Sequence, residues 1–361
     1  MQESIIEEKL KLIKKPDKEA MQRCQLRFDN IAKPLRSLGY LEQAIVKIAG
    51  MSGSDNVDLR KKALVIMCAD NGVVEEKVTQ VGKEITALVA DNFTKKKSTV
   101  CIMSSYTKTD IFPVDIGIDS DVVSVNEIIP FNILNKKIDY GTKNIYKEAA
   151  MTREQAVKAI EIGIALVHDL KEKGYNIIAT GEMGIGNTTT SSAVASVILN
   201  KEVEYVTGKG AGLSSEGLER KINVIKHAIE INKPDSKDPI DVLAKVGGFD
   251  IAGLVGVFIG GALYKVPVVI DGFISGVAAA LASKMNPLVI DYILPSHVSN
   301  EPAGKMILEE LGLAPFITCG MYLGEGTGAV ALFPLLDMVC NVYNQMSTFN
   351  EINMDNYVEL K

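Results

Sequence analysis

Tryptophan is absent from this 361-residue chain, and histidine occurs three times, as His168, His227 and His297, far apart. No His, Cys or carboxylate set has the spacing of metal ligands, so no bound transition metal is expected. The five cysteines, Cys24, Cys68, Cys101, Cys319 and Cys340, are odd in number and include no CxxC pair. They read as small buried hydrophobes of a reducing, cytoplasmic compartment. Basic clusters are missing as well. Net charge is −6, and the run Lys95-Lys96-Lys97 is short and reads as a solvated helix end, which argues against a nucleic-acid surface. The opening MQESIIEEKL is acidic where a secretory leader would be basic. The apolar stretch over residues 251–263 is glycine-rich and too short to span a bilayer. With 47% hydrophobic and 23% charged residues, the chain has material for one large core or two smaller ones.

What the chain does have is alternation. Residues 1–60 read as polar helices, one capped by Asp17 after Pro16, another beginning at Leu41. Residues 63–69, ALVIMCA, read as a buried strand ending at Asp70-Asn71-Gly72. Residues 99–104 and 110–114 are read as two further strands, and Thr152 with Gln155 as the capping box of a long helix. Strands are expected again at 177–180, 266–270 and within 289–294, with an extended piece at 316–319. Apolar run, polar turn and helix recur at Asp70, Asp115, Gly181 and Asp271, and more weakly at Ser296. This predicts an α/β fold, a Rossmann-like parallel sheet with helices on both faces and ligands outside the carboxyl ends of the strands. No Pro/Ser-rich linker divides the chain. A small helical domain from both termini, residues 1–60 and 330–361, packed on an α/β body, residues 61–329, fits best.

The densest signal is NIIATGEMGIGNTTTSSA, residues 176–193. Strand, glycine turn and helix start place free backbone N–H groups and a helix's positive end together, a seat for an anion. Asn187 stands where a triphosphatase loop needs lysine, and Thr189 where a dinucleotide loop needs its third glycine. A sugar phosphate remains the economical reading; a plain structural turn is the alternative. Glu182 would repel a phosphate unless it faces a sugar hydroxyl or a developing cation.

Glu325, between Gly324 and Gly326 ahead of a helix, is exposed to a ligand by its glycine neighbours. It reads either as a general base with a raised pKa or as an ordinary helix N-terminal acid. Lys221 could neutralise a phosphate or be solvated. Ser299 could bond a phosphate or cap the next helix. His297 lacks an acid or nucleophile at motif spacing and reads as a loop histidine. Asp70, Asp115, Asp250 and Asp271 read equally as caps or ribose ligands.

Eight segments in order, KPLRSLGYLE, MCADNGV, DIGID, GEMGIGNTT, KVGGFDIAG, DGFISG, SHVSNEPAG and LGEGTGA, span nearly the whole chain. Together they resemble the nicotinate-nucleotide:dimethylbenzimidazole phosphoribosyltransferase family. The resemblance implies a dimeric enzyme without cofactor. It moves 5-phosphoribose from nicotinate mononucleotide to the lower-ligand base of a cobamide, with inversion at the anomeric carbon. Glu325 falls at the family's general base, Glu182 at a second carboxylate near the ribose, and Gly184, Lys221 and Ser299 at the phosphate. Val81, Val89 and Leu323 fall at the base pocket. Two departures stand out: Val81 and Val89 replace Ser and Gln, and Asn71 replaces His. An apolar pocket cannot demand ring nitrogens, so the chain looks like the branch that activates phenol or p-cresol as a pair of related subunits. Retention of Glu325 marks it as the catalytic one. The alternatives are a non-catalytic subunit on the same fold and a nucleotide-dependent kinase, against which the missing loop lysine speaks.

Overall fold

The computed structural model describes residues 2–358. Among them six strands form one sheet: β1 (Lys62–Ala69), β2 (Thr109–Gly117), β3 (Leu134–Asn135), β4 (Ile177–Met183), β5 (Val268–Val269) and β6 (Ile293–Leu294). Their order is β3-β2-β1-β4-β5-β6, and every neighbouring pair is parallel. This is the doubly wound order, in which strand order reverses between β1 and β4, and ligands bind outside the carboxyl ends at that reversal. All eight residues of β1 are buried, as a central strand covered on both faces requires.

The strand expected at 99–104 is a helix, Thr99–Thr107. Ser98 caps it by accepting from the Cys101 amide at 3.2 Å, and Lys108 ends it in the left-handed region. A six-residue apolar run has no period that separates strand from helix. The deciding constraint is tertiary: β1 and β2 are parallel neighbours, so the chain between them must cross over, here through the helices Glu84–Thr94 and Thr99–Thr107. Elsewhere the strands are shorter than expected. The 266–270 run pairs only at Val268–Val269, and most of 289–294 is a 3₁₀ turn before β6. The piece at 316–319 makes one bridge, Ile317 to His297. Asp17 and the Thr152/Gln155 box cap their helices as read.

The helices Arg153–Glu172 and Phe249–Tyr264 pack backbone to backbone, the second of them against the sheet. A Cβ on Gly163 would lie 2.1 Å from the Gly253 carbonyl oxygen, and one on Gly256 2.0 Å from that of Ile160. Glycine is required there by close approach, not by φ. The two ends of the chain meet. Ala32 donates to Ser347 at 2.9 Å, Phe349 to Asn30 at 3.0 Å, and the Phe28 and Tyr343 rings lie 4.8 Å apart. One hydrophobic cluster runs from Ile6 and Phe28 through β1 to Tyr343, and the helix Thr327–Gln345 begins in the body and ends among the terminal segments. We propose the two-part organisation, 1–60 with 330–361 against 61–329, with that helix shared between the parts.

Four cysteines are buried, but Cys319 is exposed, contrary to the sequence reading. It follows the single bridge at Ile317, where the chain leaves the sheet edge as a loop. No helix among the described residues is long and apolar enough to cross a membrane.

Candidate active site

A cavity of about 740 Å³ opens at the carboxyl ends of β4, β5 and β6. Its walls are residues 182–185, 187–188, 271–275, 319–325 and Thr327, with Val89, Thr99 and Met103 from the crossover helices, and Gly210, Ala211, His297, Ser299 and Glu301. The first and last glycine turns of the chain meet here. A Cβ on Gly181 would lie 2.6 Å from the Glu325 carbonyl oxygen, and one on Gly324 2.6 Å from Glu182 Oε1. Two glycines, one on each turn, let the two carboxylate-bearing segments touch.

Glu325 sits at φ 60° between Gly324 at 88° and Gly326 at 93°. Holding a non-glycine residue in the left-handed region costs about 1–3 kcal/mol, so something must hold it. Asp271 does, because its carboxylate accepts from the amides of Gly326 (3.1 Å), Gly328 (2.6 Å) and Ala329 (3.2 Å) at the start of the helix Thr327–Gln345. The Glu325 carboxylate accepts from the Val100 amide at 3.4 Å and is also bonded by the Ser98 side chain, at the start of the Thr99–Thr107 helix. Burial nevertheless raises its pKa above the usual carboxylate value.

Glu182 and Asp250 share one partner. Asn187 Nδ2 donates to Glu182 Oε2 and, at 3.0 Å, to Asp250 Oδ2. Burial pushes Glu182 up to about 8, with the Asp250 and Asp271 charges adding to it. Burial likewise takes Asp271 to about 7 and Asp250 to about 6. Buried carboxyls that share a partner cannot all ionise unless a cation joins them. The site is built to receive positive charge.

Beside the carboxylates the wall offers groups suited to an anion. The helix Asn187–Leu199 starts at the cavity after Gly186 at φ 93°. Lys221, fully buried on the helix Ser215–Asn232, donates to Thr188 Oγ1 at 2.9 Å and to the Gly208 carbonyl at 3.1 Å. It stands behind the wall that Thr188 and Gly210 form, and burial lowers its pKa to about 8. Ser299 lines the wall and accepts from the Glu301 amide at 3.3 Å. Gly184 lines it too, although its missing side chain is accounted for by Ala69, whose carbonyl oxygen would lie 2.2 Å from a Cβ. Behind the loop, Thr86 Oγ1 accepts from the Ile185 amide at 3.1 Å and donates to Asp70 Oδ1 at 2.6 Å, which fixes the loop to the end of β1.

Val89 and Leu323 line the cavity; Val81 does not. Val81, which the resemblance placed at the base pocket, is 43% exposed in the turn before the helix Glu84–Thr94. His297 is buried, its Nδ1 3.2 Å from Ser296 Oγ, and burial lowers its pKa, so it packs as a neutral ring against Gly328. Asn187 and Glu301 are site residues that the sequence reading left without a role, and Asp271, read equally as a cap or a ribose ligand, accepts from the amides at the start of the helix Thr327–Gln345. The Asp271 contacts make one expectation. Replacing Asp271 with Ala frees the turn that carries Glu325, and kcat falls about a hundredfold, as misplacement by about 1 Å does, in steady-state kinetics.

A doubly wound sheet with an anion seat, a buried lysine and a carboxylate cluster around one cavity defines an α/β enzyme that handles sugar phosphates. A family model described as phosphoribosyltransferase matches residues 13–354. The chain is 50% identical to the nicotinate-nucleotide–dimethylbenzimidazole phosphoribosyltransferase of Ruminiclostridium cellulolyticum, over 98% of this chain and 99% of that one. It is 49% identical to the one from Clostridium acetobutylicum, over 99% of each. The crystal structure of CobT from Thermus thermophilus superimposes with TM-score 0.87 at 33% identity, covering 94% of this chain and all of that one. The chain belongs to the nicotinate-nucleotide–dimethylbenzimidazole phosphoribosyltransferase family.

Proposed function

We propose that this chain transfers 5-phosphoribose from nicotinate mononucleotide to dimethylbenzimidazole, giving the α-ribosyl phosphate used to assemble a cobamide's nucleotide loop. The observation that carries the reading is the meeting of the two glycine turns, which puts Glu182 and Glu325 on one cavity that also holds the start of the helix Asn187–Leu199, with Lys221 behind Thr188. The phosphate binds among Gly184, Ser299 and the Thr188 and Lys221 pair. The nicotinate ring is a cation while bonded to ribose and leaves with the electron pair of the C–N bond, so it needs no acid. Positive charge then moves to the anomeric carbon, where ionised Glu182 stabilises it. One ring nitrogen of the acceptor attacks from the opposite face, which inverts the centre, and Glu325 takes the proton from the other nitrogen.

Val89, Met103 and Leu323 give the cavity an apolar wall. That wall favours a flat apolar ring, and it keeps phenol or p-cresol as a second acceptor class. With Val81 outside the cavity, the preference for phenols rests on Val89 and on Asn71 in place of His, whereas both curated relatives above are named for dimethylbenzimidazole. Because the chain carries Glu325, we infer that it is a catalytic subunit whether it pairs with itself or with a related chain. The purified chain, given nicotinate mononucleotide with dimethylbenzimidazole or phenol in parallel, is expected to release nicotinate and form the benzimidazole ribosyl phosphate, read by mass. Release of nicotinate with neither acceptor would overturn the reading, and product with phenol alone would move it to the phenolic branch.

A further inference from the structure

Glu301 lines the same wall as Thr188, Gly210 and Ser299. Its carboxylate accepts from the Gly210 amide, while Oε2 is buried with no hydrogen-bond partner. A Cβ on Gly208 would lie 2.0 Å from that oxygen. Lys221 Nζ grips the carbonyl of the same Gly208 at 3.1 Å. Carboxylate and ammonium thus both hold residues 208–210, and each feels the other's charge. The ammonium's two hydrogen-bond acceptors, Thr188 Oγ1 and Gly208 O, are both neutral.

We propose that Glu301 sets the affinity of the phosphate seat, its carboxylate competing with the substrate's phosphate for the charge of Lys221. The proposal rests on the phosphate reading given above and adds a residue that works against binding. A phosphate drawn towards Lys221 meets a second anion on the same wall, in a pocket where charges are poorly screened. Inorganic phosphate, which has nothing else to hold it, is penalised in full. The nucleotide offsets the same penalty through its ribose and its cationic ring at the carboxylate end. Weak uniform binding of this kind raises KM and spares kcat. It also keeps the ribosyl phosphate product from lingering.

Glu301→Gln keeps the shape and an oxygen for the Gly210 amide but removes the charge. Its inhibition constant for inorganic phosphate and its KM for nicotinate mononucleotide are expected to fall about five- to tenfold, with kcat unchanged, as for a like charge removed at partly screened range. The inhibition constant of nicotinic acid riboside, which lacks the phosphate, stays at the parent value. Glu301→Asp, which keeps the charge, keeps the parent phosphate inhibition. A Gln variant whose phosphate inhibition is unchanged or weaker overturns the proposal, and so does an equal shift for the riboside, which would mark a general loosening of the cavity. Lys221→Met separates this from the reading beneath it. If that variant leaves phosphate inhibition and KM untouched, the phosphate seat itself is misassigned. If it weakens both while Glu301→Gln strengthens neither, only the role of Glu301 falls.

Discussion

Glu325→Gln lowers kcat for ribosyl transfer by about a thousandfold, within the range that loss of a general base produces, and leaves the affinity for nicotinate mononucleotide at its parent value. The amide fills the same space and still accepts from the Val100 amide, so the turn between Gly324 and Gly326 stays in place. What is lost is the ability to accept a proton from the acceptor's ring nitrogen. The pH profile carries the sign. Burial holds the Glu325 carboxyl above the ordinary carboxylate range, and only its ionised form is a base. The parent's kcat therefore rises with pH through that raised pKa; in the Gln variant the part of the rise that belongs to Glu325 is lost and only that of Glu182, pushed up to about 8, remains. Steady-state kinetics across pH, with ligand affinity measured by calorimetry, check both halves. A Gln variant with the parent's rate and profile would remove Glu325 from the chemistry, and equal loss of nucleotide affinity would make it a binding residue.

Much of this arrangement is legible in the sequence alone. The runs over 63–69 and 177–180 are continuous and apolar because their strands are buried on both faces, and the turns after them announce a parallel sheet. Glu182 and Glu325 are legible because each sits among glycines, and glycines beside a carboxylate are rarely spent on solvent. The helix Thr99–Thr107 is not legible, since a short apolar segment has no decisive period. That misreading also hides the amide of Val100, which donates to the Glu325 carboxylate, because a strand has no free N-terminal amides to offer. Asp271 stays ambiguous for a different reason. Its partners, Gly326, Gly328 and Ala329, lie more than fifty residues away, and only the fold brings them to it. Val81 and Val89 are eight apart along one segment, yet only the second is on the helix that faces the cavity.

Lys221→Met is expected to lower kcat/KM for nicotinate mononucleotide by about a hundredfold, the upper end of what a hydrogen bond to a charged group contributes, about 1.5–3 kcal/mol. Methionine matches the stem of the buried lysine, so the helix Ser215–Asn232 keeps its packing while the donors to Thr188 and Gly208 are gone. The loss falls mainly on KM, because the phosphate is held alike in the ground state and at the transition state. A second signature follows from burial, which lowers the lysine's pKa to about 8. Below that pH the ammonium is charged and attracts the phosphate; above it the amine is neutral and only donates. In the parent, kcat/KM therefore declines as pH rises past about 8. Bound phosphate stabilises the charged lysine and moves its titration upward, so kcat at saturating nucleotide holds to higher pH than kcat/KM does. In the Met variant the descending limb of kcat/KM vanishes, since nothing is left there to lose its proton. A variant that keeps both the affinity and the descending limb would place the phosphate elsewhere in the cavity, and the carboxylate end would have to be read again without it.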